Sequence, residues 1–219
     1  MTSCSNVTDE EEDDIDVCEK ITCSTLRTYC CDHFDMNKDG KVSMSEAAMV
    51  NEIKIYNIET EGMKPIQVTS LNGLEEFPNL TRLFCNMHTM KSVDVSHLPK
   101  LETLTCGESP SMASLNVSQN PNLKILFCNN SSLTSLDVSN NPDLEFLGCR
   151  YNQITTLDLH KNEKLKTVFC DNNQLTSLEL YMGNALEELY CAHNLLTTLD
   201  LRIPSLKKIS CDDTVEILR

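Results

Sequence analysis

Leucines recur along this chain at a nearly fixed interval, and that period restricts the fold more than any other feature. Leu80, Leu101, Leu123, Leu144, Leu165, Leu186 and Leu206 open seven units spaced by 21, 22, 21, 21, 21 and 20 residues. The unit from Leu144 reads LEFLGCRYNQITTLDLHKNEK, which as a template is L-x-x-L-x-C-x-x-N-x-L-T-x-L-D-L-x-x-N-x-x. Its neighbours LKTVFCDNNQLTSLELYMGNA and LEELYCAHNLLTTLDLR repeat it closely. A unit this short cannot bury its own apolar side, so successive units must stack and share one core. The expected fold class is a mainly β repeat solenoid.

The L-x-x-L-x-C-x-x-N stretch resembles the leucine-rich repeat family, in the 21-residue form with a strand cysteine that bacterial internalin-like surface proteins carry. The resemblance covers about residues 53 to 219. It implies a right-handed superhelix in which each L-x-x-L-x-C segment is a short parallel strand on the concave face. The L-T-x-L-D-L segment then forms a second extended stretch on the convex side. Regular repeats are expected over 80–219, with one irregular repeat over 53–79 built on Ile53, Ile55, Ile66, Val68, Leu71, Leu74 and Phe77. Residues 17–52 suit a small α-helical N-terminal cap, and 1–16 an acidic tail or linker.

Seven of the twelve cysteines, Cys85, Cys106, Cys128, Cys149, Cys170, Cys191 and Cys211, hold one position in every unit. Stacked strands lie about 4.8 Å apart, wider than the ~3.8 Å between Cβ atoms that a disulfide prefers. Metal sites need converging ligands rather than a straight row. These thiols are therefore expected to form a structural ladder of small, buried packing residues. Cys4, Cys18, Cys23, Cys30 and Cys31 lie outside it. The last four crowd one helical segment, where a disulfide would staple the cap in an oxidising compartment. A zinc site with His33 is the weaker alternative, since no C-x-x-C pair is present.

Residues Asp35 to Glu46 read DMNKDGKVSMSE and match the twelve-residue loop of EF-hand and dockerin-like proteins. Calcium takes six to eight hard oxygen ligands. The match implies Asp35, Asn37, Asp39, the Lys41 carbonyl, Ser43 and both oxygens of Glu46 in that role. Gly40 permits the sharp turn, and Val42 is expected to pack inward. Leu26, Tyr29, Cys30 and Phe34 fall at helical spacing before the loop, and Ser45 to Val50 suit a short helix after it. Only one such loop occurs, so sensor or docking roles do not follow, and the expected cofactor is a structural calcium. A calcium-locked helix hairpin would cover the apolar end that a first repeat exposes.

The template also says which side chains line the concave face. Residues just before the ladder cysteines are Phe84, Thr105, Phe127, Gly148, Phe169, Tyr190 and Ser210; those just after include Arg150, followed by Tyr151. Of eleven Phe and Tyr residues, six (Phe84, Phe127, Phe146, Tyr151, Phe169 and Tyr190) fall on this surface. Exposed aromatics with an arginine among them are what binding hot spots are made of. Stacking along neighbouring strands is the structural alternative, and the two are compatible.

The net charge of −15 is concentrated in part in Asp9 to Asp16, where seven of eight residues are acidic. The remainder is still acidic, which argues against nucleic acid, whose phosphates it would repel. No hydrolase, metalloprotease, phosphate-loop or dinucleotide motif is present, and the five histidines are scattered, so an enzyme is not expected. Calcium of modest affinity points outside the cell. Thr2-Ser3-Cys4-Ser5 before the acidic stretch resembles the mature start of a bacterial lipoprotein, with a lipid anchor at Cys4 as the only membrane attachment; a cytosolic protein with reduced thiols is the alternative. The leading expectation is a monomeric, cell-surface or secreted module that binds a protein or glycan on its concave face. Rival readings are an acidic intracellular inhibitor of a basic enzyme, similar in kind to cysteine-rich ribonuclease inhibitors, and the targeting portion of a larger enzyme.

Overall fold

A computed structural model of the chain describes residues 15–55, 67–86, 90–183 and 185–218. Cys4, most of the acidic run, Ile66 and His88 lie outside the described residues. The structure is a parallel solenoid. Eight strands form one sheet in chain order: Glu52–Lys54, Arg82–Phe84, Thr103–Thr105, Ile125–Phe127, Phe146–Gly148, Thr167–Phe169, Glu188–Tyr190 and Lys208–Ser210. All neighbours are parallel and in strict register, so Ile53, Leu83, Leu104, Leu126, Leu147, Val168, Leu189 and Ile209 form one column. Side chains alternate across a strand. That column therefore faces the core, while the residues on either side of it face outward.

On the convex side the L-T-x-L-D-L segments make shorter parallel ladders. Thr156–Leu159 pairs with Ser177–Leu180, Ser92–Asp94 with Ser114–Asn116, and Thr198–Asp200 with Glu216–Leu218. Between the two sides lies a single continuous core of leucines, valines and thiols.

Two rows of asparagine hold the turns. Asn152, Asn173 and Asn194 each donate Nδ2 to carbonyls of their own and the preceding repeat, as in Asn173 to Cys149 (2.9 Å) and Cys170 (3.1 Å). Their Oδ1 atoms accept from Leu133, Ile154 and Leu175, so one amide closes the turn in both directions. On the other edge Asn120, Asn141 and Asn162 each donate to two carbonyls of the turn before. A buried turn carries backbone groups that water cannot reach, and these amides satisfy them.

Each regular turn after the ladder strand passes through a left-handed residue: Glu108, Asn130, Tyr151, Asn172 and His193, with φ between 53 and 58°. The position recurs two residues past Cys106, Cys128, Cys149, Cys170 and Cys191 whatever residue occupies it, so the repeat backbone imposes the conformation.

The N-terminal segment consists of a single 3-10 turn at Val17–Lys20, helix α1 (Ser24–Phe34) and helix α2 (Met44–Met49). Asp16 joins its two ends, accepting from the backbone N–H of Cys18 and of Val42, each at 3.0 Å. Val17, Ile21, Leu26, Cys30 and Val42 are fully buried in the same cluster as Ile53, Leu74 and Phe77. The cap and the first turn thus share one core, and α2 runs almost directly into the Glu52–Lys54 strand.

Candidate functional site

The concave sheet carries the exposed columns. Arg150 follows the Phe146–Gly148 strand, and its guanidinium carbon lies 4.2 Å from the centroid of Phe169 and 5.3 Å from that of Tyr190. The two rings sit side by side on adjacent strands, 4.9 Å apart and nearly parallel. In-register pairing of Phe169 with Tyr190 dictates that spacing. Asp171, on the next repeat, fixes the arginine from the side, with Arg150 Nε donating to Oδ1 at 2.5 Å. Beyond Tyr190 the Lys208 ammonium stands 5.0 Å from the ring centroid, and the Tyr190 hydroxyl donates to Glu188 at 3.0 Å. The result is a cation–aromatic row across four repeats, half-buried from Arg150 to Tyr190 and exposed at Lys208, with Asp171 fixing Arg150 and Glu188 bonded to Tyr190.

Phe127 belongs to the same column as Phe169, with Gly148 between them. A Cβ at Gly148 would lie 2.3 Å from the Phe127 ring, so the ring lies over the glycine and buries it. The sequence placed Gly148 on the solvent-facing column; the structure corrects this, because its neighbour's ring covers the space a side chain would fill. Phe146 is half-buried on the parallel column, between Ile125 and Thr167. Tyr151 is 55% exposed in its left-handed turn. Phe84 stands apart, separated from Phe127 by the Thr103–Thr105 strand, with the Lys54 ammonium 5.7 Å from its ring. Of the sequence-selected set, then, Arg150, Phe169 and Tyr190 touch one another, Phe127 flanks them, and Phe84 does not join. Asp171 and Lys208 complete the row and were not singled out from sequence; their signal was that the same template columns carry charge there.

The ladder thiols of Cys85, Cys106, Cys128, Cys149, Cys170 and Cys191 are buried in a single file beneath this face. Burial pushes the thiols of Cys85, Cys149 and Cys191 up to about 12, and those of Cys106, Cys128 and Cys170 well above the ordinary value. Such thiols are poor nucleophiles. The seventh, Cys211, is only half-buried, a correction to the expectation of a fully buried column, because no described strand lies beyond its repeat.

At the other end, residues 35–46 form a tight loop. Asp35 accepts from the N–H of Lys38 (2.7 Å) and Gly40 (2.9 Å), while Asn37 and Asp39 close smaller turns and touch each other at 2.9 Å. Gly40 turns at φ 92°, with open space around its Cα. The donors are all hard oxygens, which suits calcium in kind. Glu46, however, is turned into a capping box for α2. One oxygen accepts from Met36 and Asn37 N–H, the other from Ser43 N–H and hydroxyl, at 2.8 to 3.0 Å. Burial pushes its carboxyl up, but these donors outweigh burial and hold it below the ordinary value. Among the described residues no three His, Cys, Asp or Glu side chains converge as metal ligands.

Comparison with known proteins identifies the architecture. No family model and no curated protein sequence matches the chain. Among solved structures, the functional domain of InlJ from Listeria monocytogenes, described as including a cysteine ladder, matches with a TM-score of 0.52 at 18% identity, over 91% of this chain and 61% of that one. Internalin C2 from the same species matches at 0.59 and 15%, over 90% and 96%. YopM from Yersinia pestis, described as a leucine-rich effector protein, matches at 0.64 and 24%, over 89% and 53%. The chain therefore spans about three-fifths of the InlJ domain and about half of YopM. Among the described residues no helix is long and apolar enough to cross a membrane. The fold is a leucine-rich repeat solenoid with a buried cysteine ladder.

Proposed function

We propose that the protein is a recognition module of a bacterial surface or secreted protein, taking a protein or glycan ligand on its concave sheet. The observation that carries this is the Arg150–Phe169–Tyr190–Lys208 row. Planar rings and a guanidinium, half exposed and already ordered by Asp171 and Glu188, lose little conformational freedom on binding. Such rings suit either the apolar face of a sugar or the side chains of a protein anchor. The stacking of cations on ring faces in this row, above thiols that burial holds in the unreactive protonated form, favours binding over chemistry.

The test uses a glycan array and a panel of immobilised extracellular-matrix proteins as probes. Wild type should retain selected members, and Phe169→Ala and Tyr190→Ala should each weaken that retention by about 1–3 kcal/mol. Lys161→Ala, on the convex side, should leave it unchanged. Retention that survives both aromatic truncations would place the binding surface elsewhere.

For the cap we propose a structural calcium ion. Asp35, Asn37, Asp39, the Lys41 carbonyl, Ser43 and Glu46 would hold it, and its charge would cross-link the loop between α1 and α2. The support is the all-oxygen donor set in a loop already wound by Asp35 and Gly40. Glu46 has to exchange backbone donors for the ion, so binding would be coupled to the α2 cap.

A further inference from the structure

The four described cysteines of the cap are not equivalent. Cys23 is the N-cap of α1, where its sulfur accepts from the Thr69 hydroxyl at 3.8 Å. Cys30 is fully buried in the shared core. Cys18, in the Val17–Lys20 turn, is fully buried too, whereas Cys31 on α1 is only half-buried. The thiols of Cys18 and Cys31 are hydrogen-bonded to each other.

Arg27 holds the helix against that contact. Residues four apart on a helix are surface neighbours, so Arg27 and Cys31 share a face of α1. The Arg27 guanidinium donates to the Ile21 carbonyl at 2.8 and 3.1 Å and to that of Glu19 at 3.4 Å. This clamp lays the Cys31 face over the 3-10 turn and sets its thiol beside Cys18. The other pairings fit less well. Cys30 and Cys31 diverge by about 100° around the helix, and Cys23 lies roughly two turns before Cys31. The 3-10 turn is itself tied to the loop between the helices, since Val17 N–H donates to the Val42 carbonyl at 2.9 Å and Asp16 accepts from Val42 N–H at 3.0 Å.

We propose that Cys18 and Cys31 are a disulfide modification site, closed by a low-molecular-weight disulfide in an oxidising compartment, and that the bond staples the Val17–Lys20 turn to α1. Cys31, the less buried partner, attacks one sulfur of the oxidant as its thiolate, releasing one thiol and leaving a mixed disulfide. The Cys18 sulfur, having lost its proton, then displaces the second thiol and forms the Cys18–Cys31 bond. Two electrons pass from the protein sulfurs to the oxidant, whose two released thiols take up the two protons. Burial, followed by the Cys31 hydrogen bond, pushes the folded Cys18 thiol well above its ordinary value, so the second step is fastest while the cap is still closing. The finished bond makes turn, helix and loop one cross-linked unit over the first repeat, and it constrains the unfolded chain as well.

Refolding the full chain tests the proposal. Protein reduced and unfolded in urea is refolded in buffers of reduced or oxidised glutathione, alkylated under denaturing conditions and mapped by mass spectrometry. In the oxidising buffer the Cys18 peptide should be linked to the peptide carrying Cys30 and Cys31, while Cys85, Cys106, Cys128, Cys149, Cys170 and Cys191 are alkylated. Cys30→Ala should keep the link, and Cys31→Ala should leave Cys18 alkylated. Oxidised wild type should melt several degrees above the reduced protein, and Cys31→Ala should melt alike in both buffers. Cys31 is half-buried, so its alanine variant should fold, which circular dichroism checks. Cys18 and Cys31 both alkylated in oxidised, refolded wild type would overturn the proposal, as would either of them linked to a different cysteine. A link that leaves the melting temperature unchanged would overturn the staple.

Discussion

Single residues in this molecule act through the row they belong to. A ladder cysteine is a small apolar group with a carbonyl nearby, as in Cys128, whose thiol donates to the Gly148 carbonyl at 3.5 Å. Its burial has a measurable pH signature. The native Cys149 thiol sits at about 12, against an ordinary value of 9.0. Below pH 9 folded and unfolded chains both keep the proton, so the ladder contributes its full stability. Above it the unfolded thiols ionise first, and each costs about 1.4 kcal/mol per pH unit until the native group titrates. Cys149→Ala should therefore lower stability at pH 7 while making its decline between pH 9 and 10 shallower by about that slope. Equal slopes in urea titrations of the two proteins would mean that Cys149 is not shielded. The asparagines make the same point about legibility. Asn152, Asn173 and Asn194 were visible in the sequence as a recurring letter, but their role needed the carbonyls of the preceding repeat, which sequence spacing does not place.

At the scale of the strand, period alone located nearly everything. Seven in-phase leucines and the alternation around each cysteine were enough to separate the inward column, with Leu147 and Val168, from the outward ones. What the alternation did not show was how outward residues treat each other. Phe127 lies on Gly148 because a glycine leaves room for a ring, and Arg150 stacks on Phe169 because Asp171 pulls it there. Neither follows from one strand read alone. The division predicts different costs of truncation. Leu147→Ala opens a cavity in the shared core and should cost about 2–5 kcal/mol. Phe169→Ala loses a ring stack and a cation contact and should cost about 1–2 kcal/mol. Phe127→Ala should fall between them, since it uncovers Gly148 as well. Denaturant midpoints with unchanged slopes will rank the three. A Phe169 loss as large as that of Leu147 would move the ring into the core and remove the half-buried row on which the proposed binding rests.

The described residues share one core, covered at its N-terminal end by the cap, and this arrangement decides how stability travels. In a solenoid each turn contacts only its neighbours, so a local gain spreads along the stack and fades with distance. The cap lies in the same cluster as Ile53, Leu74 and Phe77, and Phe34 of α1 meets Phe77 with ring centroids 5.6 Å apart. An ion at residues 35–46 would fasten the hairpin that covers the first turn. Calcium at about a hundred times its dissociation constant should therefore add about 2.7 kcal/mol to unfolding. Amide exchange should slow most in α1, α2 and the Glu52–Lys54 strand, and least near Lys208–Ser210. Asp35→Asn and Asp39→Asn should abolish the increment while leaving the metal-free protein folded. They are better probes than Glu46→Gln, which also removes acceptors from the capping box. A melting temperature that is the same in calcium and in chelator would leave Glu46 as a helix cap and nothing more. Slowed exchange spread evenly to the Lys208–Ser210 strand would instead show that the stack unfolds as a single unit, with the cap's influence reaching that far.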